Sequence, residues 1–123
     1  MSSITALPYN RSIYTVAETD VFIRYARNVW STEDRDAFVT WIASNPLVGD
    51  VIPGTGGLRK VRYSRQGTGK RGGVRVVYDN LLSEGKFWFL IVYSKSKFDN
   101  LRVAFLNQLK SAILESLDGN QTH

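Results

Sequence analysis

Three segments in the second half of the chain decide the fold: LRKVRYS at 58–64, GVRVVYD at 73–79 and KFWFLIVYS at 86–94. Each is dense in β-branched or aromatic residues and is bounded by glycine or polar turn formers, so each reads as a strand. Three successive strands of this kind imply an antiparallel meander. Alternation along the first puts Lys60 and Arg62 on one side and Val61 and Tyr63 on the other, so cations can line the sheet while hydrophobes enter the core.

Outward from these strands the period changes. Residues 13–16 read as a further short strand, and Thr19 or Asp20 can cap a helix that carries Val21, Phe22, Tyr25 and Val29 at helical spacing. Ser31 and Asp34 have the form of a capping start for a second helix, with Phe38, Trp41 and Ile42 facing inward and Asn45 and Pro46 as its stop. Residues 49–57, rich in glycine and containing Pro53, form a turn-bearing connection. After the third strand, Asp99 caps a last helix on which Leu101, Phe105, Leu109, Ile113 and Leu117 make one apolar stripe, ended by Gly119. The expected architecture is α+β: a small antiparallel sheet, with two N-terminal helices and one C-terminal helix packed on one face and the other face open. No repeat or long linker divides the chain, so residues 1–123 read as a single domain, with 1–12 a flexible lead and 119–123 a frayed tail.

Composition bounds the function. With 123 residues, 43% of them hydrophobic and 22% charged, the chain can bury its own core and lacks the polar bias of disordered sequences. It has no cysteine, which removes disulfide frameworks, zinc-thiolate sites, iron–sulfur clusters and cysteine nucleophiles. The N-terminal segment has neither a long apolar run nor a small-residue cleavage site, so the expected location is the cytoplasm, with no membrane partner. The formal charge is +5, and it is concentrated: from residue 51 to 78 there is no acid, while Arg59, Lys60, Arg62, Arg65, Lys70, Arg71 and Arg75 all fall there, with Lys95 and Lys97 after the last strand. Cations converging with tyrosines suit a phosphodiester backbone with bases to stack.

The GTGKRG run at 67–72 matches nucleotide-binding glycine patterns only formally. The dinucleotide motif needs a helix where a strand follows, and the phosphate loop needs serine or threonine where Arg71 stands. RNA can be cut without a metal or other cofactor if a base takes the 2′-hydroxyl proton, a cation stabilises the phosphorane and an acid protonates the departing 5′-oxygen. His123, the only histidine, is the last residue and poorly placed for this. Lysines crowded by arginines give up a proton more readily, which makes Lys60, Lys70 and Lys95 candidate bases, with Tyr78 and Tyr93 as weaker candidates. No carboxylate pair sits in the basic stretch, which counts against magnesium.

Taken together, NP at 45–46, GD at 49–50, IPGTGGLRKVR at 52–62, GKRGGVRVVY at 69–78, YSK at 93–95 and DNL at 99–101 resemble the HigB-type branch of the RelE toxin superfamily, over roughly residues 14–114. The resemblance implies a RelE-like fold. It also implies a toxin of a type II toxin–antitoxin system that enters the 30S A site of the ribosome, cuts messenger RNA by 2′-hydroxyl attack, and is held inactive by a cognate antitoxin. By this similarity Arg75 contacts the scissile phosphate, Lys60 and Arg62 serve as proton acceptor and phosphate contact, and Tyr93 and Lys95 belong to a segment that supplies an acid or substrate contact. Lys70 matches the loop lysine, an implied contact to ribosomal RNA, while Arg59, Arg65, Arg71 and Lys97 are expected RNA or ribosome contacts on account of their charge. Arg71 stands where the branch usually has serine. The alternative reading is a non-catalytic RNA- or ribosome-binding regulator on the same scaffold.

Overall fold

A computed structural model of the chain describes residues 2–6, 13–64, 73–81, 84–94 and 101–121, with side chains described over 14–64, 73–81, 84–94 and 101–113. The elements run β1 (Ser2–Ala6), β2 (Ile13–Glu18), α1 (Asp20–Val29), α2 (Thr32–Ser44), β3 (Asp50–Val51), β4 (Arg59–Ser64), β5 (Gly73–Leu81), β6 (Lys86–Ser94) and α3 (Val103–Gln121). They build one six-stranded sheet in the order β1-β2-β6-β5-β4-β3. Strands β4, β5 and β6 form the expected antiparallel meander. Strand β2 lies parallel to β6, so the sheet is mixed rather than purely antiparallel.

The helices begin where their capping residues dictate. Thr19 caps α1, its Oγ1 accepting from the Phe22 N–H at 3.0 Å while donating to the Leu90 carbonyl at 2.6 Å. Ser31 and Asp34 form a reciprocal capping box at the start of α2, and Asn45 ends that helix. The Thr19 contact reaches β6 at a bulge. Tyr78 pairs with Phe89 and Val77 with Ile91, which leaves Leu90 as the extra residue. The Thr19 N–H also donates to the Phe89 carbonyl, so one residue ends β2, opens α1 and closes the backbone at the bulge.

Both faces of the sheet are covered, which differs from the single covered face expected. On one face Val61, Val74, Val76, Tyr78, Phe87, Phe89 and Val92 pack with Phe22 of α1, Trp30, and Phe38, Val39 and Ile42 of α2. On the other, Leu58, Val77, Ile91 and Tyr93 pack with Leu106, Leu109 and Ile113 of α3. Full burial of each large apolar side chain contributes about 1.5–3 kcal/mol, so an exposed row of this composition would be costly. Helix α3 is also tied to the loop before β4. Lys110 Nζ donates to the Thr55 and Gly56 carbonyls at 3.0 and 3.1 Å, and Asn107 Nδ2 donates to the Gly54 carbonyl at 3.0 Å. That loop can take its shape because Gly54, Gly56 and Gly57 have φ of 83°, 70° and 110°, left-handed values that side chains resist.

The chain ends differ from expectation too. Residues 2–6, placed in a flexible lead, form the edge strand β1 against β2. Helix α3 starts at Val103, with the first turn closed by Leu106 N–H on the Arg102 carbonyl, and it runs through Gly119 to Gln121 instead of stopping there. Asp99, expected to cap it, lies outside the described residues. No helix among the described residues is long and apolar enough to cross a membrane.

Tyr78 fixes the connection between α2 and β3. Its buried hydroxyl accepts from the Gly49 N–H at 3.0 Å and donates to the Pro46 carbonyl at 3.0 Å, which Asn80 Nδ2 also reaches at 2.8 Å. Gly49 has no room for a side chain, because a Cβ there would lie 2.9 Å from the Tyr78 ring. Tyr78→Phe strands the Gly49 N–H in a buried site, and urea unfolding should show a loss of about 1–3 kcal/mol. An unchanged midpoint would mean that this hydroxyl does not hold the connection.

Candidate nucleic-acid interface

The pairing register brings the cations of β4 and β5 onto the face that carries α3. Arg62 stands opposite Arg75, and Arg75 stands opposite Tyr93, so the three form one row across β4, β5 and β6. Lys60 occupies the next row on the same face, opposite Val77. Helix α3 covers the part of this face around Leu58, Val77 and Ile91. Beyond it Arg62 and Ser64 are exposed, and Lys60 and Arg75 are half-buried.

Directly opposed like charges destabilise a strand pair, since their Cβ atoms lie about 4.5–5.5 Å apart. Among the described residues neither arginine is paired with an acid: the ion pairs there are those of Arg35 with Glu18 at 3.1 Å and with Asp36 at 3.3 Å. The acid carried by strands β4 to β6 is Asp79, four residues along β5 from Arg75. At about 3.3 Å per residue that separation is roughly 13 Å, longer than the screening length of about 8 Å at physiological salt. Asp79 is turned to α3 instead: burial raises its carboxyl pKa, and nearby Lys110 partly offsets the rise. Among the described residues the Arg62–Arg75 row is therefore a positive site with no acidic partner, complementary to an anion with several acceptor oxygens.

The remaining site residues divide. Tyr93, expected among the catalytic groups, is only 1% exposed and belongs to the core beneath α3. Burial pushes its phenol pKa above the ordinary 10.0, against a smaller lowering by Arg75. It is thus protonated at neutral pH, a hydrogen-bond donor and not a base. Arg59, expected among the RNA contacts, points to the other face, where Nη1 donates to the Gly49 carbonyl at 2.6 Å and the Leu47 carbonyl at 3.2 Å. Lys95, Arg65, Lys70, Arg71 and Lys97 lie outside the described residues.

A pocket that the sequence reading did not find adjoins the row. Arg24, Tyr25, Asn28 and Val29 of α1 face Tyr93 and Ser94 at the end of β6 and enclose about 340 Å³. The sequence signal was slight: Arg24 and Asn28, one turn apart on α1, fall on its polar side. A second pocket of about 200 Å³ lies on the other side of α1, against Trp30 and the Glu18–Arg35 ion pair.

No family model matches the chain. Among solved structures it is similar to the toxin RelE of E. coli, in the free state of a double arginine-to-alanine mutant. The TM-score is 0.50 and the identity 14%, over 68% of this chain and 85% of that one. Such a likeness speaks to architecture, and the chain accordingly has the α+β RelE-like fold.

The buried phenols give a pH signature. Tyr63, Tyr78 and Tyr93 all have pKa values raised above 10.0, with burial the largest cause in each. Because the native state holds these protons more tightly than the unfolded chain, stability is level below about pH 10 and falls as pH rises from there through the folded values. Tyrosinate absorbance followed with circular dichroism should show a fraction that appears only together with unfolding. Complete, reversible ionisation near pH 10 in folded protein would contradict the burial.

Proposed function

We propose that this protein is the toxin of a type II toxin–antitoxin pair, of the HigB-type branch of the RelE superfamily, and acts in the cytoplasm as a ribosome-dependent messenger-RNA endonuclease. The observation that carries the reading is the Arg62–Arg75 pair, two directly opposed cations on neighbouring strands of the sheet, set in a RelE-like fold. A sheet keeps such a pair at a cost, which an anionic ligand offsets.

The reaction needs no group beyond side chains. A base removes the proton from a ribose 2′-hydroxyl, and O2′ attacks the adjacent phosphorus as the bond to the 5′-oxygen breaks. The departing oxygen takes a proton from an acid, leaving a 2′,3′-cyclic phosphate and a 5′-hydroxyl. Arg75 and Arg62 are assigned to the phosphorane oxygens, where charge develops. Lys60, one row away on the same face, is assigned as base, and Lys95 as acid or substrate contact. Tyr93 serves as a positioning residue beside Arg75 on the neighbouring strand, since its ring is buried. Arg65, Lys70, Arg71 and Lys97 are assigned to messenger or ribosomal RNA. Docking in the 30S A site supplies the alignment of the scissile bond, which accounts for dependence on the ribosome. A cognate antitoxin holds the toxin inactive.

Arg75→Ala tests the assignment. An exposed or half-exposed strand arginine away from ion pairs changes stability by only about 0.5 kcal/mol. Loss of a transition-state contact should lower cleavage of a translated message by about 10²–10³-fold, or roughly 2.7–4 kcal/mol. A folded variant that cuts at the wild-type rate would remove Arg75 from the chemistry. Wild-type protein that binds ribosomes yet leaves the message intact would favour the non-catalytic regulator.

A further inference from the structure

The pocket between α1 and β6 has a composition the proposed cleavage chemistry does not use. Among the described residues its lining combines one cation (Arg24), two aromatic rings (Tyr25 and Tyr93), an amide (Asn28), a hydroxyl (Ser94) and an apolar wall (Val29), and no carboxylate. That set disfavours amines and metal ions, and it matches what a nucleotide presents: a flat ring with polar edges and an anionic backbone. Its volume of about 340 Å³ is at the small end for ligand sites, enough for a base and too small for an extended ligand. The pocket beside Glu18 and Arg35 differs on each point, being smaller and lined by an ion pair that is already neutral.

Position strengthens the match. Strand β2 pairs with β6 only as far as Phe89, and α1 then takes its place beside the rest of β6. Tyr93 is consequently shared, standing opposite Arg75 on one side and lining the pocket on the other. Adjacent strands lie about 4.8 Å apart, so the pocket opens roughly one strand spacing from the Arg62–Arg75 row.

We propose that this pocket receives a base of the same RNA whose phosphate rests on Arg62 and Arg75, with the Asn28 amide reading the edge of the base and setting sequence preference. This rests on the endonuclease reading. Tyr25, half-buried, supplies the ring against which the base lies, and Val29 closes the pocket behind it. Arg24, exposed at the mouth, meets a flanking phosphate. Asn28 is exposed, so its amide is at the surface a base would reach, and an amide offers one donor and one acceptor side by side, the pattern that pairs with the edge of adenine.

The test uses the full chain, labelled with ¹⁵N, and the four nucleoside 3′-monophosphates as probes. Saturable shifts of the Asn28 side-chain amide and the Arg24 Nε are expected, with affinities that differ among the bases by about fivefold or more. Asn28→Asp, which turns the donor into an acceptor, should change the order of preference, whereas Arg75→Ala should weaken all four probes alike. No saturable shift at Asn28, or equal affinity for all four bases, would overturn the base pocket and leave cleavage at Arg62 and Arg75 standing. Base-selective shifts at Asn28 in a protein that never cuts translated message would keep the pocket and remove the endonuclease reading.

Discussion

Strand β6 must be buried on both faces at once, and the rest of the molecule is arranged to satisfy that constraint. Phe87, Phe89, Leu90, Ile91, Val92 and Tyr93 are each at most 1% exposed. Phe87, Phe89 and Val92 face α1 and α2, while Ile91 and Tyr93 face α3. One edge of the strand is filled by β5 along its length, and the other by β2 and then α1. The bulge at Leu90 and the two Thr19 hydrogen bonds mark the change from strand neighbour to helix neighbour. Without that change there would be no gap between α1 and the end of β6, and hence no pocket there.

The same constraint places the positive charge. A helix that covers all of the second face would bury Arg62 and Arg75 without partners, a penalty of several kcal/mol for each ion. Helix α3 instead covers the part around Leu58, Val77 and Ile91, held by Lys110 and Asn107 on the glycine-rich loop. The arginine row stands where the described residues leave the face exposed or half-buried, with the buried Tyr93 beside Arg75 on the neighbouring strand. Asp79, which would neutralise it, is kept by its distance along β5 and by Lys110 on the α3 side. Burial of the strands and a positive row with no acidic partner among the described residues thus come from one arrangement, which under the proposed reading would be a preorganised place for a charge that grows during reaction.

Much of this was legible in the sequence. Ser31 and Asp34 cap α2 as the spacing expects, Thr19 is the one of the two candidates, Thr19 and Asp20, that caps α1, and the alternation of Lys60, Val61, Arg62 and Tyr63 across two faces is as expected. The side of α3 was legible but passed over: FWFLIVY at 87–93 is a continuous apolar run, the pattern of a strand buried on both faces, not an alternating one. Leu106, buried in the second core, lies three residues before Leu109 and seven before Ile113, and so shares their face although the stripe counted in steps of four from Leu101 missed it. Other features depend on long-range pairing that no local pattern encodes. The parallel β2–β6 register, the turn of Arg59 toward the Gly49 carbonyl, and the meeting of Asn28 with Tyr93 all join residues far apart in the chain.

The central claim is that this cationic face acts on message presented by a ribosome, and its most direct test is to map 5′ ends on one defined messenger RNA with and without translation. Purified wild-type protein should generate new 5′-hydroxyl ends only in the translated reaction, inside the reading frame. Equal cutting of the free RNA would contradict the dependence on the ribosome. An intact message in both reactions would contradict the endonuclease itself.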